Sequence, residues 1–125
     1  MATSSILSQH ATLLWSNSSP SSNFASQELP GTDGYRMYAI KFKPSTSASG
    51  YFTLFYAVAS GETHYNTAVN LPTSGACEGV LRAVTKNSGS GTLTVGNCEY
   101  KALNSTGSRT QDNSRMIPLE VWGLS

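Results

Sequence analysis

The chain has 125 residues, of which 38% are hydrophobic and only 12% charged, with a net charge of +1. That length fits one domain, and the eight scattered Lys and Arg residues exclude the clustered basic surface that phosphate binding needs. The net charge is also too small for the usual disordered composition, and no stretch is long and apolar enough for a transmembrane helix, so neither a nucleic-acid partner nor membrane insertion is expected.

In chain order, MATSSILSQHATLLW has neither a basic start nor a continuous apolar core and does not read as a signal peptide. Residues 1–12 are read as a polar segment that could serve as an anchor, and residues 13–125 as the β-sandwich domain. In LLWSNSSPSSNFASQ, Leu13–Trp15 read as a first strand, SNSSP as a polar corner and Phe24 as an apolar plug returning the chain to the sheet. Phe24 and at least one of Leu13 and Leu14 are therefore expected to be buried.

YRMYAIKFK, Tyr35–Lys43, is the clearest strand, with Tyr38, Ile40 and Phe42 on one face and Met37, Ala39, Lys41 and Lys43 on the other. YFTLFYAVAS, Tyr51–Ser60, is apolar on both sides and predicts a central strand covered on both faces. After Gly61, ETHYNTAVN is expected to return as the second strand of a hairpin, and LPTSGA is a loop. EGVLRAVTK alternates again, NSGSG is a turn, and TLTVGNCEYKAL is one bent strand or two short ones meeting at Gly96-Asn97. The final strand, MIPLEVWGL, contains a proline that cannot donate to a ladder, so it is expected to start or lie at a sheet edge near Pro118. Seven to nine short strands with turn signals about every ten residues predict an all-β, antiparallel, jelly-roll-like sandwich. Its expected core comprises Leu14, Trp15, Phe24, Tyr38, Ile40, Phe42, Phe52, Leu54, Tyr56, Val58, Ile117, Leu119 and Val121.

Little in the chain resembles catalytic machinery. There is no G-x-S-x-G elbow, only His10 and His64 could act as bases, and the seven carboxylates are dispersed. Glu62 and His64 share a face, a two-ligand metal pattern better read as two solvated side chains. NSGSGT lacks the lysine and helix of a phosphate cradle. A non-enzymatic protein with no cofactor and no metal is expected. Cys77 and Cys98 could form one disulfide, although the lack of an export signal favours free thiols. Asn17 and Asn104 begin N-x-S/T sequons that read as chance matches. The two tryptophans and six tyrosines exceed what a weakly hydrophobic core needs, and the surplus suits subunit interfaces or sugar-stacking platforms.

The two ends of the chain carry a more specific signal. Leu14, Trp15, Asn17, Pro20, Phe24 and Gln27 follow a Leu-Trp-x-Asn-x-x-Pro-x-x-x-Phe-x-x-Gln opening, and Asn113, Ile117, Pro118, Trp122 and Gly123 follow an Asn-rich loop leading into an Ile-Pro strand that ends on aromatic-Gly. Together with TVGNCEY, these resemble a domain family of tailed bacteriophages and prophages, with Trp122 where tyrosine is common. The resemblance implies a structural module on the virion surface, made in the host bacterial cytoplasm. It further implies a tail-fibre or receptor-binding role in host attachment, assembly with other virion proteins, a homotrimer, and a host cell-surface glycan as ligand. A capsid decoration protein or head fibre anchored by the N-terminal segment is the alternative, and a small carbohydrate-binding lectin-like module is a further one. Candidate contact residues, taken from loops and edges, are His64, Tyr65, Asn104, Arg109, Asp112 and Asn113.

Overall fold

A computed structural model describes residues 10–71, 77–104 and 106–125. Most of the expected anchor and of the LPTSGA loop lies outside the described residues. Among them are nine strands: β1 (Ala11–Ser16), β2 (Gln27–Leu29), β3 (Met37–Ser45), β4 (Phe52–Ala57), β5 (Thr63–Asn70), β6 (Glu78–Lys86), β7 (Leu93–Ala102), β8 (Thr110–Gln111) and β9 (Arg115–Leu124). They form two antiparallel sheets packed as a β-sandwich. Sheet A has the order β1-β9-β3-β4, and sheet B the order β2-β7-β6-β5 with β8 also on β7. The expected boundary after residue 12 falls inside β1.

β3 shows why the fold is all-β. Its period-2 pattern puts Tyr38, Ile40 and Phe42 into the core, where they meet Leu29, Val84, Leu93, Val95 and Met116 from the opposite layer and from the start of β9. Phe24, Tyr56, Val58, Ile117 and Val121 are buried with them, and Leu14, Trp15, Phe52 and Leu54 pack partly buried against this core. Leu119 does not join it. A bulge between Lys41 and Phe42 in the β3–β9 register sets Pro118, not Leu119, opposite Phe42. One extra residue shifts the alternation by one place. Leu14 is half-buried and Leu13 is exposed, so of the opening trio only Phe24 is fully buried.

Three expectations about strand position are corrected. β9 is central, between β1 and β3. Pro118 is tolerated there because the β1 ladder has ended: Asn17 Nδ2 donates to the Pro118 carbonyl at 2.9 Å and Asn17 N to that of Leu119 at 2.8 Å. β4 is an edge strand, and its outer side is uncovered, with Phe55 70% exposed. β4 and β5 do not form a hairpin, since β4 pairs with β3 and β5 with β6. The connection crosses between the sheets and is tied to both, with Val58 N on Arg36 O and Gly61 N on Lys86 O. TLTVGNCEYKAL is a single strand, bulged where Arg82 and Val84 face Cys98 and Val95.

Candidate interaction surface

The outer face of sheet A follows from register alone. In antiparallel pairs, residues directly opposite one another project to the same side. Leu13 lies opposite Trp122, Trp122 opposite Ala39, and Ala39 opposite Phe55. Ala39 sits between core residues Tyr38 and Ile40, so this row points away from the core and spans all four strands. The next row holds Ala11, Leu124, Met37 and Ala57, again on β1, β9, β3 and β4. Two adjacent rows of the outer face are thus entirely apolar. Leu13 is 45% exposed, Met37 47% and Phe55 70%.

A polar row closes the patch. Ser16, Glu120, Lys41 and Thr53 follow the same register. Lys41 Nζ lies 3.8 Å from Glu120 and 3.8 Å from the centre of the Tyr51 ring, while the Trp122 indole donates to Glu120 at 3.3 Å. The neighbouring Lys43 ammonium donates to the Pro20 and Thr46 carbonyls. The charges here are already engaged, which lowers the desolvation cost of covering the face.

The predicted contact residues are not gathered into one site. His64 lies opposite Val84 and faces the space between the sheets, edge-on to Tyr56 at 6.2 Å. Tyr65 lies opposite Ala83 on the outer face of sheet B and is 72% exposed. Arg109 pairs with Glu99 at 2.9 Å, and Glu99 lies opposite Leu81 on that same outer face. Tyr65 and Arg109 therefore share a face from which His64 is turned away. Exposed Val69 and Leu103 lie beside them, around an open trough of about 330 Å3. Asn104 is exposed in the turn after β7.

Asp112 and Asn113 are structural. Asp112 accepts from the Ser114 hydroxyl at 2.5 Å and lies 3.4 Å from Arg115; these contacts, the Ser114 bond foremost, hold its carboxyl below the usual carboxylate range. Asn113 Oδ1 accepts from Cys98 N, Asn113 Nδ2 donates to Asn97 Oδ1, and the Asn113 carbonyl accepts from Phe24 N.

A residue not singled out from sequence sits at the centre of this network. Arg82 is fully buried and donates to four carbonyls: Met116 at 2.7 Å, Gly96 at 2.5 Å, Phe24 at 2.9 Å and Arg115 at 3.1 Å. No carboxylate pairs with it among the described residues. Burial brings its pKa down to about 10, so the guanidinium stays charged at neutral pH. Met116 has φ 48°, a left-handed conformation costing about 1–2 kcal/mol that the Arg82 bonds offset. The signal was present in EGVLRAVTK, where Arg82 occupies the apolar parity of Val80 and Val84.

The remaining chemistry is sparse. Glu62 and His64 do meet, at 3.4 Å on the surface, and Glu62 also accepts from Ala59 N. The Ala59 bond and then His64 lower the Glu62 pKa. Among the described residues no three His, Cys, Asp or Glu side chains are grouped to hold a metal. Cys77 and Cys98 are free thiols, the first exposed and the second buried. The chain matches no family model, no curated protein and no solved structure.

Proposed function

We propose that this chain is a non-enzymatic structural protein of a phage virion, a β-sandwich subunit of the tail-fibre or receptor-binding apparatus that works in assembly and host attachment. The observation that carries assembly is the row Leu13–Trp122–Ala39–Phe55, which spans every strand of sheet A and leaves Leu13 45% and Phe55 70% exposed. Four strands about 4.8 Å apart and two apolar rows make a patch on the order of 20 Å by 15 Å. That is the size of the apolar centre of a standard interface, with a polar rim still to be added. Its occupant is a second copy of the chain: with Lys41 and Lys43 already engaged, the face presents no uncompensated charge to repel its own copy. In a homotrimer this face would line the threefold axis and touch both neighbours.

Assignment to a virion rests on the resemblance of the two chain ends. Those ends meet in the fold: Asn17 bonds Pro118 and Leu119, and Phe24 N bonds the Asn113 carbonyl. The motif residues thus form one structural unit, a feature a family could retain without any shared active site. Immunogold labelling of particles purified from the strain that carries this gene tests the proposal. Label at the tail is expected, label over the capsid would give the decoration role instead, and particles free of the chain would overturn a virion role altogether.

A further inference from the structure

At the margin where β1 of sheet A faces β2 of sheet B, the connection 17–26 crosses between the sheets and encloses a cleft of about 240 Å3. Trp15 forms one wall, edge-on to Phe24 with ring centres 5.9 Å apart and planes at 78°. Asn17, Asn23, Gln27 and three serines complete the lining, and no charged side chain is among them. We propose that this cleft is a binding site for a neutral carbohydrate ring.

Three observations support it. The first is rigidity in a segment whose composition reads as loose coil. Asn17 Oδ1 accepts from Ser19 N at 2.8 Å, and Ser19 O from Ser22 N at 3.1 Å. Phe24 is held by Asn113 through its N–H and by Arg82 through its carbonyl, and Ser26 N donates to Asn97 Oδ1. A connection pinned to both sheets loses little entropy when a ligand binds. The second is the state of the polar groups. The Trp15 indole N–H and the side-chain amides of Asn23 and Gln27 have no hydrogen-bond partner among the described residues, whereas the Trp122 indole is engaged by Glu120. The third is the combination of chemistries. A pyranose offers an apolar C–H face for an aromatic ring and paired hydroxyls that both donate and accept, as an amide does. A lining without charge favours an uncharged sugar over a phosphate or a carboxylate. The volume lies below the roughly 300–1,000 Å3 of drug-sized sites, which suits one ring held at the surface rather than an engulfed chain.

The inference gives the attachment role a site, the Trp15 cleft, and rests on the virion proposal for its biological setting. Its test is a titration of the full chain with glucose, galactose, N-acetylglucosamine and rhamnose, each to tens of millimolar, followed by amide and indole NMR. Each sugar that binds should shift the Trp15 indole N–H and leave that of Trp122 in place, the second tryptophan serving as an internal control. N23A and Q27A alter exposed side chains, so both should fold as the parent does and each weaken binding by roughly tenfold. No movement of the Trp15 signal with any of the four sugars would overturn the site, as would shifts that survive both substitutions unchanged. Gold label on particles combined with a silent Trp15 removes only the sugar site; a responsive Trp15 on a chain absent from particles removes only the virion assignment.

Discussion

The two margins of the sandwich are built differently. At the β1/β2 margin, backbone ends and side-chain amides are tied together across both sheets. Arg82 reaches Phe24 in the 17–26 connection from β6, inside sheet B, and also bonds Gly96, Arg115 and Met116, while Asn113 reaches Cys98 and Asn97. At the β4/β5 margin the sheets meet through the rings of Tyr56 and His64, and within sheet A Phe42 stacks on its β4 neighbour Phe52 at 5.6 Å. The buried Tyr56 hydroxyl there has no hydrogen-bond partner among the described residues. β4 and β5, edge strands like β1 and β2, carry exposed Phe55, Tyr65 and Val69. Cross-sheet hydrogen bonds thus gather around the 17–26 connection, while the most exposed apolar side chains of the strands lie on β4 and β5. Direction-dependent hydrogen bonds define a single geometry, while non-directional apolar contacts can be completed by another molecule.

Substitutions can break or sharpen that contrast. The largest effect is expected for Arg82→Leu, which strands four carbonyls in the core at a cost of about 3–5 kcal/mol by chemical denaturation. A loss under about 1 kcal/mol would mean that the β1/β2 margin is not what holds the sheets together. Gly123→Val should follow, at about 1–3 kcal/mol. A Cβ at Gly123 would come within 2.7 Å of three atoms of the Tyr35 ring, so the ring must leave its place over β9. Loss of the Tyr35 near-ultraviolet dichroism should accompany the drop.

At the other margin the signs change. Tyr56→Phe removes a hydroxyl whose pKa burial pushes up and which no partner repays, so thermal unfolding should show no loss and up to about 1 kcal/mol of gain. A clear loss would reveal a partner for that hydroxyl and erase the difference between margins. Phe55→Ser should have the smallest effect on the monomer, within about 0.5 kcal/mol, because Phe55 is 70% exposed. Light scattering should nevertheless show its assembly weakened. If the assembled mass is unchanged, the outer face of sheet A is not the interface.

How much of this could be read from the residues depended on whether the deciding partner was local. Strand β3 was legible because period-2 alternation is intrinsic to a half-buried strand. β4 was misplaced for a physical reason: apolar residues on both sides of a strand do not show which side the chain itself covers. β9 was misplaced because Pro118 forbids only one ladder bond, and Asn17, 101 residues away in sequence, takes over at that point. The structural bonds of Asp112 and Asn113 were not legible because loop polar groups resemble one another until backbone partners such as Ser114 N and Cys98 N are known. His64 and Tyr65 are adjacent in sequence, and that adjacency itself places them on opposite faces. The Trp15 cleft was hidden because its rigidity comes from Arg82, Asn97 and Asn113, none of them near it in sequence.

The position of β9 also bears on how the chain is made. β9 separates β1 from β3, and its Leu124 lies opposite Ala11. While the ribosome is still adding residues before Arg115, β1 has no neighbour in its sheet and Arg82 lacks two of its four acceptors, the Met116 and Arg115 carbonyls. Sheet B can form earlier, since β5, β6 and β7 are consecutive. Sheet A must wait for the final ten-residue strand. Folding is therefore expected to finish only once β9 is available, with slow closure of the most sequence-distant pair as its last step.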